Sequence, residues 1–275
     1  GHDWAADNVV NGAEAARLRE RLDTWCGMAA GGDGEVIELS QMDPEQRFAY
    51  RIHEAKIDER EKLEREGRMA EFSALRMMLT GPPGAGKSRT VRAIASLRKQ
   101  KAAAAARQKG MEQGLSHSKL EQTAEEATRS ACVLGAPAGT AAFQMKSAAT
   151  TLHRLFGIPI DACTPTKNES TLAQRARRLK AATLIALDEF SMIGRQMLGK
   201  IKYKVDEALG SERGNVGRVR SMGGKDVMFS GDPDQAAPIG DDSFHKEGAS
   251  KTEGVKQGGQ GLSLIHISEP TRLAE

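Results

Sequence analysis

The chain is poor in aromatic residues, and it contains no long apolar run. Aromatic side chains make up 4% and hydrophobic side chains 39% of its 275 residues, which is lean for a tightly packed globule, so we expect part of the chain to lie outside a core. No stretch approaches the ~18 apolar residues that span a bilayer, and no charged-then-apolar N-terminus resembles a signal peptide. We therefore expect an intracellular chain with no membrane partner, and nucleus and mitochondrion both stay open.

The chain also has few cysteines and a small net charge. Cys26, Cys132 and Cys163 are widely spaced and form no C-x-x-C pair, so we expect reduced thiols and no structural metal. The formal net charge is +3 and the isoelectric point is near 8.7. This mildly basic balance permits a phosphate-bearing partner without requiring one.

The most specific motif is a glycine-rich loop at residues 81–88, which fits the pattern G-x-x-x-x-G-K-[ST]. An apolar run at residues 77–79 leads into it and a helical pattern follows it. Glycines let successive backbone N–H groups turn towards a polyphosphate, Lys87 can reach its β- and γ-phosphates, and the Ser88 hydroxyl can ligate Mg²⁺. The motif predicts binding of a nucleoside triphosphate with Mg²⁺.

A second signal is a pair of acids at the end of an apolar run. Residues 182–187 are almost all apolar and are followed by Asp188 and Glu189, as expected for a buried parallel strand that delivers two carboxylates to the carboxyl edge of a sheet. One carboxylate can hold Mg²⁺ and the next can orient an attacking water. A nucleotide kinase has little need of the second acid, so the pair favours an ATPase.

Two glutamines occupy positions at which an amide could contact the nucleotide. Gln235 follows an apolar strand and Asp232, where it could contact the γ-phosphate or the attacking water. Gln46 stands just after Pro44 at a predicted helix start, and an amide there could read both edges of adenine N6/N7. Taken singly, either glutamine is more often a surface residue.

Six blocks of sequence, in this order and spacing, resemble the first half of a superfamily 1B DNA helicase of the PIF type (petite integration frequency), related to RecD. The similarity extends over roughly residues 39–244. The blocks are Asp43–Gln46, Gly81–Ser88, Ala136–Ala142, Thr150–His153, Asp188–Met192 and Gly231–Gln235.

The resemblance implies a role for individual residues. Gln46 would read adenine, Glu189 would be the general base, and Gln235 would sense the γ-phosphate. The predicted catalytic residues are Lys87, Asp188, Glu189 and Gln235, and the predicted Mg²⁺ ligands are Ser88 and Asp188. The predicted nucleotide-binding residues are Gln46, Gly81, Gly84, Ala85, Gly86, Lys87, Ser88 and Arg89. The predicted contacts to single-stranded DNA are Pro137, Gly139, Thr140, Thr151 and His153.

The expected fold is a P-loop NTPase domain of the RecA-like α/β class over residues 39–247, with a mostly parallel central sheet and helices on both faces. Strands are predicted near Met77, Val133, Leu184 and Val227. We expect a partly helical insertion at about 102–130 and a smaller insertion at about 157–180. The basic residues of the smaller insertion fit a solvated helix face and a DNA contact equally well.

Both ends of the chain are expected to lie outside this domain. Residues 1–38 are predicted to be a linker, and residues 248–275 to be disordered. Residues 262–275 resemble the conceptual translation of a transposase-based sequencing-library adapter. We therefore expect a truncated reading frame that lacks a second RecA-like domain and the arginine which that domain would supply.

The resemblance implies an ATP-dependent 5′–3′ DNA helicase that uses ATP and Mg²⁺ and acts on single-stranded DNA and duplex junctions. It also implies roles in DNA repair, recombination and telomere maintenance. Three alternatives stay open: a transposon-encoded helicase domain, an ATP-binding module that regulates without translocating, and a nucleotide kinase. Protein partners are not predicted.

Overall fold

A parallel sheet of six strands forms the centre of the fold. The computed structural model describes residues 28–30, 36–145, 148–159, 169–209, 221–244 and 263–266. The strands are β1 (Met28–Ala30), β2 (Val36–Glu38), β3 (Arg76–Thr80), β4 (Cys132–Ala136), β5 (Thr150–Thr151), β6 (Leu184–Leu187), β7 (Asp226–Gly231) and β8 (Ser263–His266). The six-stranded sheet has the order β5-β4-β6-β7-β3-β8, and every neighbouring pair is parallel. Strands β1 and β2 form a separate antiparallel pair.

Helices connect these strands, as parallel pairing requires. They are α1 (Pro44–Arg65), α2 (Lys87–Glu112), α3 (His117–Ser130), α4 (Gly139–Met145), α5 (Leu152–Phe156), α6 (Glu169–Ala181) and α7 (Arg195–Ala208). Short 3₁₀ turns cover Leu39–Gln41, Met69–Glu71, Phe190–Met192 and Ser221–Gly224. Within the described ranges, every helix is too short or too polar to cross a membrane.

Apolar side chains point alternately to the two faces of the sheet, so a hydrophobic core forms on each face. Leu184 and Ala186 of β6 face one core, whereas Ile185 and Leu187 face the other, because successive strand side chains point to opposite faces. Helices α1, α2 and α4 cover the first face, and α5, α6 and α7 cover the second. The predicted α/β fold, with a parallel sheet between two helical layers, is confirmed.

The start of α1 is fixed by local capping. Pro44 occupies the first turn, where its missing N–H removes no helical hydrogen bond. The backbone N–H of Asp43, the N-cap residue, donates to Oε1 of Gln46 at 3.3 Å, which is half of a capping box. The predicted helix start is confirmed, and the cap holds Gln46 at a defined place on the first turn.

The predicted insertion at 102–130 is a helical hairpin. Helix α2 runs without interruption through the alanine run at residues 102–106, and α3 returns beside it. Alanine has the highest intrinsic helix propensity, which explains the continuous helix. Arg107 of α2 donates to Glu121 of α3 through Nε at 2.9 Å and Nη2 at 2.8 Å.

The predicted insertion at 157–180 forms α6 over its second half, and residues 160–168 lie outside the described residues. The basic side chains do not share one face. Arg177 and Lys180 are exposed, whereas Arg175 and Arg178 are half-buried, and burial lowers the pKa of Arg178. Within this cluster, only Arg177 and Lys180 are freely presented to solvent.

The expectation for the two ends of the chain is wrong for three short segments. Residues 28–30 and 36–38 pair as β1 and β2 although they belong to the predicted linker, and Ile37 is fully buried in the core beneath α1. Residues 263–266 pair with β3 although they belong to the predicted disordered tail. Leu264 and Ile265 suit a strand, and a free sheet edge accepts any backbone that can pair with it, whatever the origin of its sequence.

One buried polar cluster joins four elements of the fold. Nη2 of Arg98 in α2 donates to Oδ2 of Asp226 at 2.7 Å, and both side chains are only 1% exposed. The other Asp226 oxygen, Oδ1, accepts the backbone N–H of Leu75 at 2.7 Å, just before β3. Arg98 Nη2 also lies 2.9 Å from Nδ1 of His53 in α1. A guanidinium can only donate, so Nδ1 accepts and the ring is neutral with its proton on Nε2.

The first prediction concerns this ion pair. Replacing Arg98 by Met should lower the free energy of unfolding by about 3–5 kcal/mol, because it leaves the Asp226 carboxylate buried without a counter-charge. The measurement is urea denaturation followed by circular dichroism. The matched control is Lys101→Met, one helical turn further along α2, which removes a solvent-exposed pair with Asp58 and should cost under about 1 kcal/mol. Equal losses of unfolding free energy in the two variants would show that the Arg98–Asp226 pair is not a buried ion pair of this kind.

The second prediction concerns pH. Burial, with a smaller contribution from Arg98, lowers the pKa of His53 well below its usual value. The unfolded chain therefore gains a proton near pH ~6.5 that the folded chain does not, and stability is lost as pH falls below that value. Relative to His53→Gln, which does not titrate, the wild type should lose about 1 kcal/mol per pH unit between pH ~6.5 and ~5. Parallel urea curves at all pH values would refute this.

Candidate nucleotide site

The glycine-rich loop lies between the carboxyl end of β3 and the start of α2. Gly84 and Gly86 have φ angles of +84° and +79°, in the left-handed region that glycine adopts without strain. Gly86 is needed for a second reason. A Cβ at this position would lie 2.5 Å from Nε2 of Gln46, so the first turn of α1 packs directly on the loop.

The side chains predicted to bind nucleotide contact the loop itself. Nζ of Lys87 donates to the carbonyl oxygens of Gly81 at 2.7 Å and Pro82 at 2.8 Å. Nε2 of the buried Gln46 donates to the carbonyl of Ala85 at 2.9 Å. A triphosphate that enters the loop would replace the two Lys87 contacts with phosphate oxygens. The structure therefore brings Gln46, the loop and Lys87 together, and their roles in nucleotide binding remain predictions.

Asp188 stands at the carboxyl end of β6, one strand away from β7. Its Oδ1 accepts a short hydrogen bond from the Ser230 hydroxyl of β7, and its backbone N–H donates to the carbonyl of Gly135 at 2.9 Å. Burial raises the pKa of Asp188, and the Ser230 hydroxyl, the backbone of Glu189 and the charge of Lys87 oppose that rise. The carboxylate is thus held by one strand neighbour and placed in the field of the loop lysine.

Glu189 has a backbone conformation that is unusual for its residue type, with φ at +51°. Gly231 makes room for it, since a Cβ there would lie 2.9 Å from the backbone nitrogen of Phe190. Burial and the neighbouring charges of Asp188 and Asp232 raise the pKa of Glu189, while Lys87 lowers it. A carboxylate with a raised pKa is a better proton acceptor, which is what a general base requires.

Two other predicted residues lie at the rim. Gln235 is half-buried in the turn after β7, where its backbone N–H donates to the carbonyl of Asp232 at 3.3 Å. Arg89 points to the segment before α1, and its Nη2 donates to Oε1 of Gln41 at 3.1 Å. Arg89 thus braces the loop helix against that segment, which is a contact the sequence did not indicate.

The residues predicted to contact DNA lie at the same edge of the sheet, after β4 and β5. Ala136 of β4 is paired with Thr151 of β5, which brings the two predicted segments side by side. Gly139 and Thr140 are exposed, whereas Pro137, Thr151 and His153 are half-buried. The backbone carbonyl of His153 accepts the N–H of Ile158 at 2.9 Å, so part of its role is to close α5.

Sequence reasoning missed Ser230 as the partner of Asp188. Ser230 directly precedes Gly231, but its contact with Asp188 becomes evident only from the pairing of β7 with β6. It also missed His53, Arg98 and Asp226, which are polar residues in otherwise ordinary helical and strand patterns. No spacing signal in the sequence connects them.

A glycine-rich loop that opens a helix, a lysine within it and an acid pair at the end of a nearby parallel strand define a P-loop nucleoside-triphosphatase domain. The comparison with protein families agrees. The model of the family described as AAA domain matches residues 65–241, and the chain belongs to this family. No curated protein matches the chain.

Solved structures similar to the chain include three of Pif1 helicases. Pif1 from Bacteroides sp in complex with ADP-AlF4 has 19% identity and a TM-score of 0.48, over 85% of this chain and 43% of that one. Pif1 helicase from Bacteroides in complex with ADP-AlF3 and ssDNA has 23% identity and a TM-score of 0.40, over 65% and 33%. Pif1 helicase from Candida albicans has 16% identity and a TM-score of 0.48, over 82% and 40%. The chain spans less than half the length of each.

The third prediction tests the loop. Lys87→Ala should weaken binding of a fluorescent ATP analogue with Mg²⁺ by about 10- to 100-fold, because a hydrogen bond to a charged group contributes about 1.5–3 kcal/mol. Fluorescence titration measures it. The control is Lys119→Ala on α3, an exposed lysine away from the loop, which should bind like the wild type. Unchanged affinity of Lys87→Ala would remove this lysine from the phosphate site.

Proposed function

We propose that the chain is the ATP-binding motor domain of an ATP-dependent 5′–3′ DNA helicase of the PIF type. The observation that carries the proposal is the acid pair Asp188–Glu189, held at the same sheet edge as the glycine-rich loop and as the segment 137–140. A nucleotide-binding module without a motor function needs neither a poised base nor a neighbouring nucleic-acid track. The nucleotide kinase alternative has no use for Glu189.

Hydrolysis needs a base, a charge clamp and a held nucleotide, and the chain has a residue for each. Glu189, with its raised pKa, accepts the proton of the attacking water, and Lys87 faces the β- and γ-phosphates. Ser88 and Asp188 fit a Mg²⁺ ion because they offer a hydroxyl and a carboxylate, the hard oxygen ligands it prefers. When bound, Mg²⁺ neutralises charge that develops on the phosphates. Gln46 would read adenine, a role that follows from the sequence resemblance.

Gln235 is the proposed link between ATP and DNA. It lies in the turn that follows β7, the strand whose Ser230 donates to Asp188, so its side chain could respond to a γ-phosphate at this sheet edge. Single-stranded DNA would lie across Pro137, Gly139, Thr140, Thr151 and His153. Duplex junctions, the 5′–3′ direction and roles in DNA repair, recombination and telomere maintenance belong to the same proposal and follow from the sequence resemblance. An intracellular location is proposed as well, on the composition of the sequence.

The fourth prediction tests the motor. In the whole protein that carries this domain, Glu189→Gln should retain ATP binding but lower DNA-stimulated phosphate release by about 100-fold or more, because a positioned base contributes about 10²- to 10⁴-fold. The same variant should fail to unwind a duplex with a 5′ tail, which the wild type unwinds in preference to one with a 3′ tail.

The matched control is Glu125→Gln, an exposed glutamate on α3 that is paired only with Arg129 among the described residues. It should retain both activities. Full phosphate release by Glu189→Gln would exclude this residue as the base. Normal hydrolysis with no unwinding by the wild type would favour an ATPase module that does not translocate.

A further inference from the structure

We infer that Phe143 is a stacking platform for a base of single-stranded DNA, an inference that rests on the proposed function. Phe143 lies on α4 and is 85% exposed, and it is the most exposed aromatic side chain among the described residues. Nothing assigned so far uses it. A phenyl ring so open to water has its face available for stacking against another flat ring.

The geometry of α4 places this ring next to the proposed DNA track. Ala142 and Met145 are buried against the sheet, so the opposite side of the helix faces solvent. That side carries Gly139, Thr140 and Phe143. Phe143 lies four residues after Gly139 and three after Thr140, so it is next to both on the helix surface. The ring thus continues the exposed surface that begins at Gly139 and Thr140.

The surroundings of the ring favour a nucleobase over a protein surface. Protein partners bind contiguous apolar patches, but here the other exposed residues on α4 are Gly139, Thr140 and Gln144, which are small or polar. A single flat aromatic face beside a hydroxyl and an amide suits a base, whose π-face can stack in any sequence context. The inferred ligand is therefore a base in a strand whose backbone passes Thr140.

The position relative to the ATP site agrees with this assignment. Gly135 of β4 pairs with Leu187 of β6, directly before Asp188, so α4 starts at the sheet edge that holds the acid pair. A base stacked on Phe143 would therefore lie at the same edge of the sheet as the acid pair. Stacking without base-specific hydrogen bonds would bind DNA of any sequence, and a motor that translocates along DNA needs such sequence-independent binding.

The experiment measures the affinity of the chain for fluorescein-labelled oligo-dT of about 16 nucleotides and for the same backbone with abasic sites, by anisotropy. Phe143→Ala should weaken oligo-dT binding about 5- to 100-fold, the effect of losing one stacked base, and should leave abasic binding unchanged. Phe143→Leu, which is apolar but not flat, should resemble Phe143→Ala. Phe143→Trp should bind within a few fold of the wild type.

The Trp variant also gives a direct readout, because its fluorescence should be quenched by oligo-dT and not by the abasic strand. Met111→Ala serves as the control, since Met111 is another exposed apolar side chain, 60% accessible at the far end of α2, and should leave both affinities unchanged. Urea midpoints of all variants should match the wild type, because Phe143 is not part of either core.

The outcomes separate this inference from the function on which it rests. Measurable oligo-dT binding by the wild type together with equal binding by Phe143→Ala overturns the stacking role alone, and points to a protein contact on this face. Loss of abasic binding in Phe143→Ala also overturns it, because the ring would then act on the backbone. If the wild-type chain binds neither strand, the DNA contact of the proposed function fails as well.

Discussion

The buried ion pair between Arg98 and Asp226 is the contact on which the geometry of the site depends. Arg98 is in the helix that begins at Lys87, and Asp226 begins the strand that lies between β3 and β6. The same carboxylate holds the backbone just before β3. Unpaired charges at such depth are costly, so α2, β3 and β7 have one relative arrangement. The lysine of the loop is therefore positioned from the opposite edge of the sheet as well as by the loop itself.

This arrangement of strands explains why the pKa values of Asp188 and Glu189 are raised. With β7 fixed between β3 and β6, Ser230 meets Asp188 across one strand spacing, and Gly231 meets the backbone of Glu189. Asp188 is then buried and Glu189 half-buried, and this burial raises the pKa of both carboxyl groups although Lys87 opposes the rise. The raised pKa of Glu189 is thus a consequence of strand order and of one glycine, and the acidic residue type alone would not produce it.

Local motifs were predictable because their chemistry is local. The loop at 81–88, the cap before α1 and the apolar strands each need residues within a few positions, and all occur where predicted. The Arg98–Asp226 pair could not be predicted, because its partners lie 128 positions apart and nothing in their neighbourhoods identifies them. Segments 36–38 and 263–266 were mispredicted for a related reason: a short strand is stabilised by the edge it pairs with, which the segment itself does not encode. The predicted roles of the nucleotide-site residues, of Gln235 and of the DNA contacts remain predictions.

The sheet edge also limits how ATP and DNA could influence each other. The segment 137–140 follows β4 and the acid pair follows β6, and these strands are hydrogen-bonded neighbours up to Gly135 and Leu187. The N–H of Asp188 donates to the carbonyl of Gly135, so the last bond of the ladder links the acid pair to the end of β4. Close-packed cores on both faces leave the strands little freedom to move. Any coupling between Phe143 and Glu189 must therefore act through the short connections beyond this bond, which are the residues between β4 and α4 and the acid pair itself after β6.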